Sequence, residues 1–243
     1  MTSLSIIIPA YNEERVINKT VENSLALKMQ FPNIDFEIIV IDDGSFDDTY
    51  NVVKKKFRSF NEVRVIKNKK NLGLGSSIKK GIKLAKKEKF IFIPGDNDLP
   101  KSLLNELMKN INKADIITTF FINDEIRGRF RNLISQIFLL TYTTTFNIFL
   151  KYINGPAIYP TKKLKDLKLR AKKFSIVAEI NIKLISQGLS FKEIAGHRQN
   201  NDEGSSAVSF SSFIETIYTY LYLVYEIKIF NRRNYKKISK RII

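Results

Sequence analysis

The chain has 243 residues, 44% of them hydrophobic, and a formal charge of +17 from 41 Lys and Arg against 24 Asp and Glu. That is apolar material enough for one large core and too much for a disordered chain. With no cysteine and a single histidine, His197, disulfide frameworks, thiolate or multi-histidine metal sites and a cysteine nucleophile are excluded, so oxygen ligands remain for a metal. The positive excess asks for a polyanionic partner, and charge alone leaves open a nucleotide, a nucleic acid or an anionic membrane surface.

From the start to about residue 120, short β-branched runs alternate with polar, lysine-rich segments of helical period. "LSIII" (4–8), "FEIIVI" (36–41), "VRVI" (63–66), "KFIFI" (89–93) and "DIITT" (115–119) read as strands buried on both faces. "EERVINKTVENSLALKM", "DDTYNVVKKKFRSF", "GSSIKKGIKLAKKE" and "KSLLNELMKNI" read as the intervening helices. This alternation predicts an α/β fold, a mostly parallel sheet with helices on both faces. Ligands of such sheets sit beyond the carboxyl ends of the strands, which singles out "PAYNEE", "DDGS", "NKKNLGLG" and "PGDND". The opening "MTSLSIIIPAYNEE" has no basic n-region and too short an apolar run for a signal peptide, so a cytoplasmic location is expected.

After residue 125 the texture changes. Three arginines in "RGRFR" precede an uncharged stretch, Asn132 to Leu150, closed by Lys151; a glycine-proline break, "NGPAIYP", follows. Then come a helical "FSIVAEINIKLISQG", a strand-like "LSFKEIAG", the loop "HRQNNDEGSS", an aromatic helix over roughly 208–230 and a basic tail. No stretch offers the roughly 18 to 20 apolar residues that span a bilayer without charges or many polar groups.

Asp96 and Asp98 lie two apart at a strand end, and neighbouring carboxylates repel unless a cation or proton sits between them. Such an oxygen pair suits Mg²⁺ or Mn²⁺ bridging to substrate phosphates. The other reading is an Asp/Asn turn that caps the helix in "LPKSLLNEL". Asp42 and Asp43 could accept hydrogen bonds from a nucleobase N–H or a ribose hydroxyl, while Asp47 and Asp48 favour the first turn of the next helix. Asn12 is placed to cap a helix beginning at Glu13. "NKKNLGLGSS" lacks the third glycine of G-x-G-x-x-G, and the first β-α turn has none, which argues against a dinucleotide-binding dehydrogenase.

Taken in order, "PAYNEE", "DDGS" and "NLGLGSSIKKGIKLAKKEKFIFIPGDND" resemble the family 2 glycosyltransferases, inverting enzymes with a GT-A fold, over roughly residues 3–120. The resemblance implies that Asp96 and Asp98 are a D-x-D motif, with Mg²⁺ or Mn²⁺ bridging them to the diphosphate of a UDP- or GDP-sugar. It further implies that Pro9, Tyr11, Glu13, Asp42 and Asp43 hold the base and ribose, that Asp96 faces the ribose or the metal, and that Asp98 coordinates the metal. Departure of a nucleoside diphosphate leaves charge on the β-phosphate, which a cation there stabilises.

The second half resembles the polyprenyl-phosphate (dolichol-phosphate) sugar transferase branch. In that likeness Glu179 is the helical acid, Arg198 reaches the donor diphosphate as a catalytic residue, and Gly204, Ser205 and Ser206 close the loop. Arg131 and Ser135, four apart on one helix face, could bind the acceptor phosphate. The chain departs from the pattern where Phe120 and Phe121 stand in place of an arginine, with Arg127 or Arg129 as substitutes. Pro100 stands where a Gln or His metal partner is usual, and "NGPAIY" replaces an acidic, serine-glycine stretch.

These readings predict a GT-A domain over 1–207, its nucleotide-sugar half about 1–120 and its acceptor half about 121–207. An aromatic amphipathic helix and basic tail are expected over 208–243. The expected reaction is transfer of a sugar from a nucleotide sugar to a polyprenyl phosphate, peripherally on the cytoplasmic membrane face. Transfer to a glycan hydroxyl, with Asp124, Glu125 or Glu179 as the proton acceptor, is the alternative. A non-catalytic basic protein binding membrane or nucleic acid is the other; intact Asp42, Asp43, Asp96 and Asp98 argue against it. Nucleic acid is not expected, because aromatic and basic residues are not interleaved on short strands. Residues 132–150 suit an interfacial helix or a core helix, and Arg232, Arg233, Lys236, Lys237, Lys240 and Arg241 would form one basic stripe if helical.

Overall fold

A computed structural model describes residues 1–122, 129–197 and 210–243, without the side chains of 129–132 and 210. The expected β-α alternation is present as β1 (Thr2–Ala10), α1 (Ile17–Gln30), β2 (Ile34–Asp42), α2 (Thr49–Lys56), β3 (Val63–Lys67), α3 (Leu74–Leu84), β4 (Lys89–Phe92), α4 (Lys101–Lys109) and β5 (Ile116–Phe121). The second half adds α5 (Arg129–Phe146), β6 (Ile158–Pro160), α6 (Thr161–Lys165), α7 (Ile176–Ser186), β7 (Phe191–Gly196), α8 (Phe210–Val224) and β8 (Arg241–Ile242).

The strands make one sheet in the order β3-β2-β1-β4-β6-β5-β7-β8. β6 runs against both β4 and β5; the other pairings are parallel. The carboxyl ends of β1, β2, β4, β5 and β7 therefore lie along one edge. Residues alternate across the pleat, so β1 sends Ile7 into one apolar layer, with Ile39 and Ile41 of β2, and Ile6 and Ile8 into the other, with Ile38 and Val40. α1, α2 and α4 close the second layer through Ile17, Val21, Val53, Leu103 and Leu107. α3, α5, α6, α7 and α8 close the first through Ile78, Tyr142, Leu164, Ile180 and Leu223.

Three expectations change. "VRVI" is only half-buried, because β3 is the sheet's outer strand. The glycine-proline break contains β6, whose three residues are too few to show a period; Ile158 pairs with Ile91 and Ile117 on either side. The basic tail is not a helical stripe. After α8 a π-helical turn (Tyr225–Phe230) and a 3₁₀ turn (Arg232–Tyr235) lead into extended chain. There Phe191 N donates to Lys240 O at 3.0 Å, and β8 pairs in parallel with β7. The open edge of β7 carries backbone groups that need partners, and the tail supplies them. Arg241 also forms an ion pair with the nearly buried Glu193. Among the described residues no helix is long and apolar enough to cross a membrane.

Candidate active site

The turns after β1 and β2 are zipped together by backbone N–H groups. Asn12 N donates to Ser45 Oγ (2.9 Å), Phe46 N to Asn12 Oδ1 (3.0 Å), and Glu13 N to Thr49 Oγ1 (2.8 Å). Asn12 takes a left-handed φ of 57°, which asparagine tolerates better than most residues. It does not cap a helix at Glu13: α1 begins at Ile17, with Val16 in the capping position and no side-chain cap. Tyr11 stands on the rim with its ring edge-on to Phe46, centroids 6.3 Å apart, and Phe46 is 90% exposed. Both rings thus reach solvent beside the turn after β1, while Pro9 is buried within β1.

The adjacent acids Asp42 and Asp43 are both buried, yet they do different work. Asp43 Oδ2 accepts from Gly73 N (2.7 Å) and Leu72 N (3.2 Å); Oδ1 accepts from Asn68 Nδ2 (2.7 Å) and Leu72 N (3.1 Å). Its carboxylate organises the 68–73 loop, and Gly73, with φ 89°, completes a turn in which a Cβ would lie 2.6 Å from Lys172 O. Asp42 Oδ1 accepts from Ser45 N (2.9 Å) and its hydroxyl. Its other oxygen accepts no hydrogen bond among the described residues and lies 3.5 Å from Lys67 Nζ.

The acidic turn after β4 is built against the same strand end. Gly95 N donates to Pro9 O at 3.0 Å, and Asp43 N donates to the next carbonyl, Ala10 O, at 2.8 Å. The two acidic turns therefore flank the last residues of β1. From α1, Thr20 Oγ1 donates to Gly95 O (2.9 Å) and Asn23 Nδ2 to Asn97 Oδ1 (2.8 Å), while Asn97 holds a φ of 57°. Asp98 N donates to Asp96 Oδ1 at 3.1 Å. The capping alternative does not hold, since α4 starts at Lys101 behind Pro100 with no side-chain cap. Asp96 keeps an exposed face, but the protein crowding it removes enough hydration to raise its carboxyl above the usual range, against the opposing pull of the Asp98 N–H.

Asp96 and Asp98 are hard oxygen donors on one tight turn, and no group of three His, Cys, Asp or Glu surrounds them among the described residues. Such a donor set fits Mg²⁺ or Mn²⁺, which take one or two carboxylates and complete their shell with water and substrate phosphate. It does not make a closed protein cage.

The acceptor side is less complete. Ser135 is half-buried on α5; the side chain of Arg131 lies outside the described residues, as do Asp124, Glu125, Arg127, Arg198, Gly204, Ser205 and Ser206. Glu179 is corrected from proton acceptor to structural anchor. It is fully buried, accepts from Arg170 N and Ala171 N (2.9 Å for the latter), and pairs with Lys183 Nζ at 2.9 Å. Lys183 also reaches Glu226 Oε2 (2.8 Å) and Lys168 O (2.6 Å).

Sequence reasoning missed Lys67 and Phe46, and singled out the turn that begins at Asn68 without giving Asn68 a role. Lys67 and Asn68 end and follow an outer strand whose turn carries no acid, and a phenylalanine in "DDGSFDD" gives no sign of being outside the core.

The model of the family described as "Glycosyl transferase family 2" matches residues 5–168. An uncharacterized protein of Methanocaldococcus jannaschii is 26% identical over 222 residues, covering 86% of this chain and 93% of that protein. The human dolichyl-phosphate beta-glucosyltransferase is 32% identical over 115 residues, covering 45% of this chain and 36% of the human protein. The fold is shared with glucosyl-3-phosphoglycerate synthase from Mycobacterium tuberculosis, solved with Mn²⁺, uridine diphosphate and phosphoglyceric acid. Its TM-score is 0.70 at 16% identity, over 91% of this chain and 78% of that one. With the family matched over most of the chain and its sheet and acidic turns in place, the protein belongs to glycosyl transferase family 2.

Proposed function

We propose that this glycosyltransferase moves a sugar, with inversion, from a UDP- or GDP-sugar to a polyprenyl phosphate at the cytoplasmic face of a membrane. The observation that carries the reading is the placement of two acidic turns on consecutive carbonyls at the end of β1, with an aromatic pair on the rim. Tyr11 and Phe46 offer faces to a base, and Asp42, with one oxygen accepting no hydrogen bond, suits a base N–H or a ribose hydroxyl. Asp43 acts by holding the 68–73 loop. Asp96 and Asp98 would hold Mg²⁺ or Mn²⁺, which when bound supplies Lewis-acid stabilisation of the departing diphosphate.

The acceptor half is supported by the human dolichyl-phosphate relative and by the engagement of Glu179. A phosphate monoester oxygen is already anionic at neutral pH, so it can attack the anomeric carbon without a base. The bond from that carbon to the β-phosphate oxygen breaks, and the nucleoside diphosphate leaves with the electron pair. Arg131, Ser135 and Arg198 are assigned by this reading to the acceptor and donor phosphates.

The test is nucleotide release with Mn²⁺ over a panel of UDP- and GDP-sugars, with and without a detergent-solubilised short polyprenyl phosphate. Release that depends on the lipid phosphate supports the reading. Transfer to a sugar hydroxyl or a soluble phosphorylated acid, with none to the lipid, overturns its acceptor half.

A further inference from the structure

α5 and α8 lie side by side over the first apolar layer. Thr145 Oγ1 and Tyr220 OH are 2.7 Å apart, and the Tyr220 ring meets those of Tyr142 and Phe146. Their inward faces are ordinary core, but their outward faces are not ordinary surface. Along α5, Leu133, Ile137 and Leu140 are exposed at helical spacing; along α8, Phe213, Ile217, Leu221 and then Tyr225 are exposed at the same spacing. Leu140 and Leu221 keep 63% and 60% of their surface in water. Scattered exposed leucines need no explanation, but two adjacent helices presenting apolar stripes do.

The surroundings of these stripes identify what covers them. Residues 129–243 hold 20 of the 41 Lys and Arg but only 7 of the 24 Asp and Glu. Most carboxylates there are drawn inward: Glu179 and Glu226 are buried on Lys183, and Glu193 is held by Arg241 and Lys151 N. Glu215 of α8 accepts from Lys172 N, Lys173 N and Ser175 Oγ. Of the described acids in this half, Asp166 alone is well exposed.

The strap 168–174 runs beside α8. Lys173 Nζ donates to Ser211 Oγ at 2.5 Å, the Arg170 guanidinium lies 4.0 Å over the Tyr222 ring, and Phe174 projects with 48% exposure. Lys168, Arg170 and Lys172 are exposed beside the α8 stripe. An apolar strip bordered by exposed cations is complementary to acyl chains under anionic headgroups.

We propose that the α5–α8 face, with the strap 168–174, is the surface by which the protein docks on an anionic bilayer. The basic end of the chain, held along β7, presents no helical stripe. The proposal deepens, and rests on, the reading that the acceptor is a membrane lipid. It also gives that reading an orientation: α5 follows β5 and α8 follows β7 in sequence, and these strands end on the same edge as the acidic turns. Docking through these helices sets the catalytic edge beside the headgroup layer, where a lipid phosphate is found.

The chain contains no tryptophan, so one introduced residue is a unique reporter. Leu221→Trp on the full chain is compared with Met29→Trp on α1, also exposed but on the other layer. Vesicles of phosphatidylcholine are used with and without phosphatidylglycerol. The expected result is a blue shift of the residue 221 emission that needs phosphatidylglycerol, and none at residue 29. In flotation, Lys168→Gln with Lys172→Gln weakens binding roughly 30-fold at low salt, taking about 1 kcal/mol per basic residue. Lys54→Gln with Lys55→Gln, the same charge change on α2, leaves it within about twofold by the same reasoning.

Unchanged circular dichroism and UDP binding in each variant make any loss a loss of docking. Equal effects of the two lysine pairs, equal shifts at 221 and 29, or a concentration-dependent dimer that shifts residue 221 without vesicles would each overturn the proposal. Lipid-dependent nucleotide release in detergent, without vesicles, reads the acceptor separately, so failure of docking and failure of the proposed acceptor are distinguishable.

Discussion

Asp43→Asn tests whether this acid is a loop organiser or only a ligand group. The carboxylate accepts four hydrogen bonds, from Asn68 Nδ2, Leu72 N twice and Gly73 N, in a side chain only 4% exposed. An amide in its place keeps one acceptor and turns an NH₂ toward donors, whichever way it flips. With the retained oxygen at the Oδ2 place Asn68 Nδ2 loses its acceptor, and with it at the Oδ1 place Gly73 N does; either way one N–H is left without a partner, at about 1 to 3 kcal/mol, and the charge-assisted part of the remaining bonds is lost. The sum is about 3 kcal/mol. For a domain of this size that lowers the melting temperature by roughly 6 to 12 °C. Differential scanning calorimetry without nucleotide reads the effect in the absence of any ligand contribution. A fall of less than about 2 °C, with UDP affinity lost, would refute the loop-holding role and leave Asp43 as a ligand contact alone.

Asp98→Asn removes a proposed cation ligand, and isothermal titration of UDP should show Mn²⁺-dependent affinity falling by at least about tenfold while binding without metal is unchanged. Gly95→Ala places a Cβ 2.9 Å from Ala10 Cβ and 3.1 Å from Pro9 O. The resulting overpacking should cost about 1 to 3 kcal/mol in urea unfolding and weaken UDP binding by shifting the Asp96 turn. Lys183→Met leaves Glu179 and Glu226 without their shared cation and should cost about 3 to 5 kcal/mol; adding Glu179→Gln and Glu226→Gln should recover part of that in the same melts.

Local patterning was enough to place the elements of the first half and the turns on which the chemistry stands. Strand and helix periods are local, so "LSIII", "FEIIVI" and "KFIFI" announced β1, β2 and β4, and the parallel-sheet rule pointed to "PAYNEE", "DDGS" and "PGDND". What those acids touch was not local. Asp43 finds its partners 25 to 30 residues away, and Glu215 holds a strap more than 40 residues upstream. Glu179 entered as the helical acid of the resemblance, and only packing places it fully buried against Lys183.

The second half was harder for the same reason. β6 has three residues, fewer than two full pleats, and exists because β4 and β5 leave a gap of one strand between them. The tail's lysines and arginines have helical spacing, but the unpaired backbone of β7 offered hydrogen bonds that a free helix could not match. Periodicity records which faces are apolar. Only the packed sheet decides which of them meet the core and which, on α5 and α8, are left facing outward.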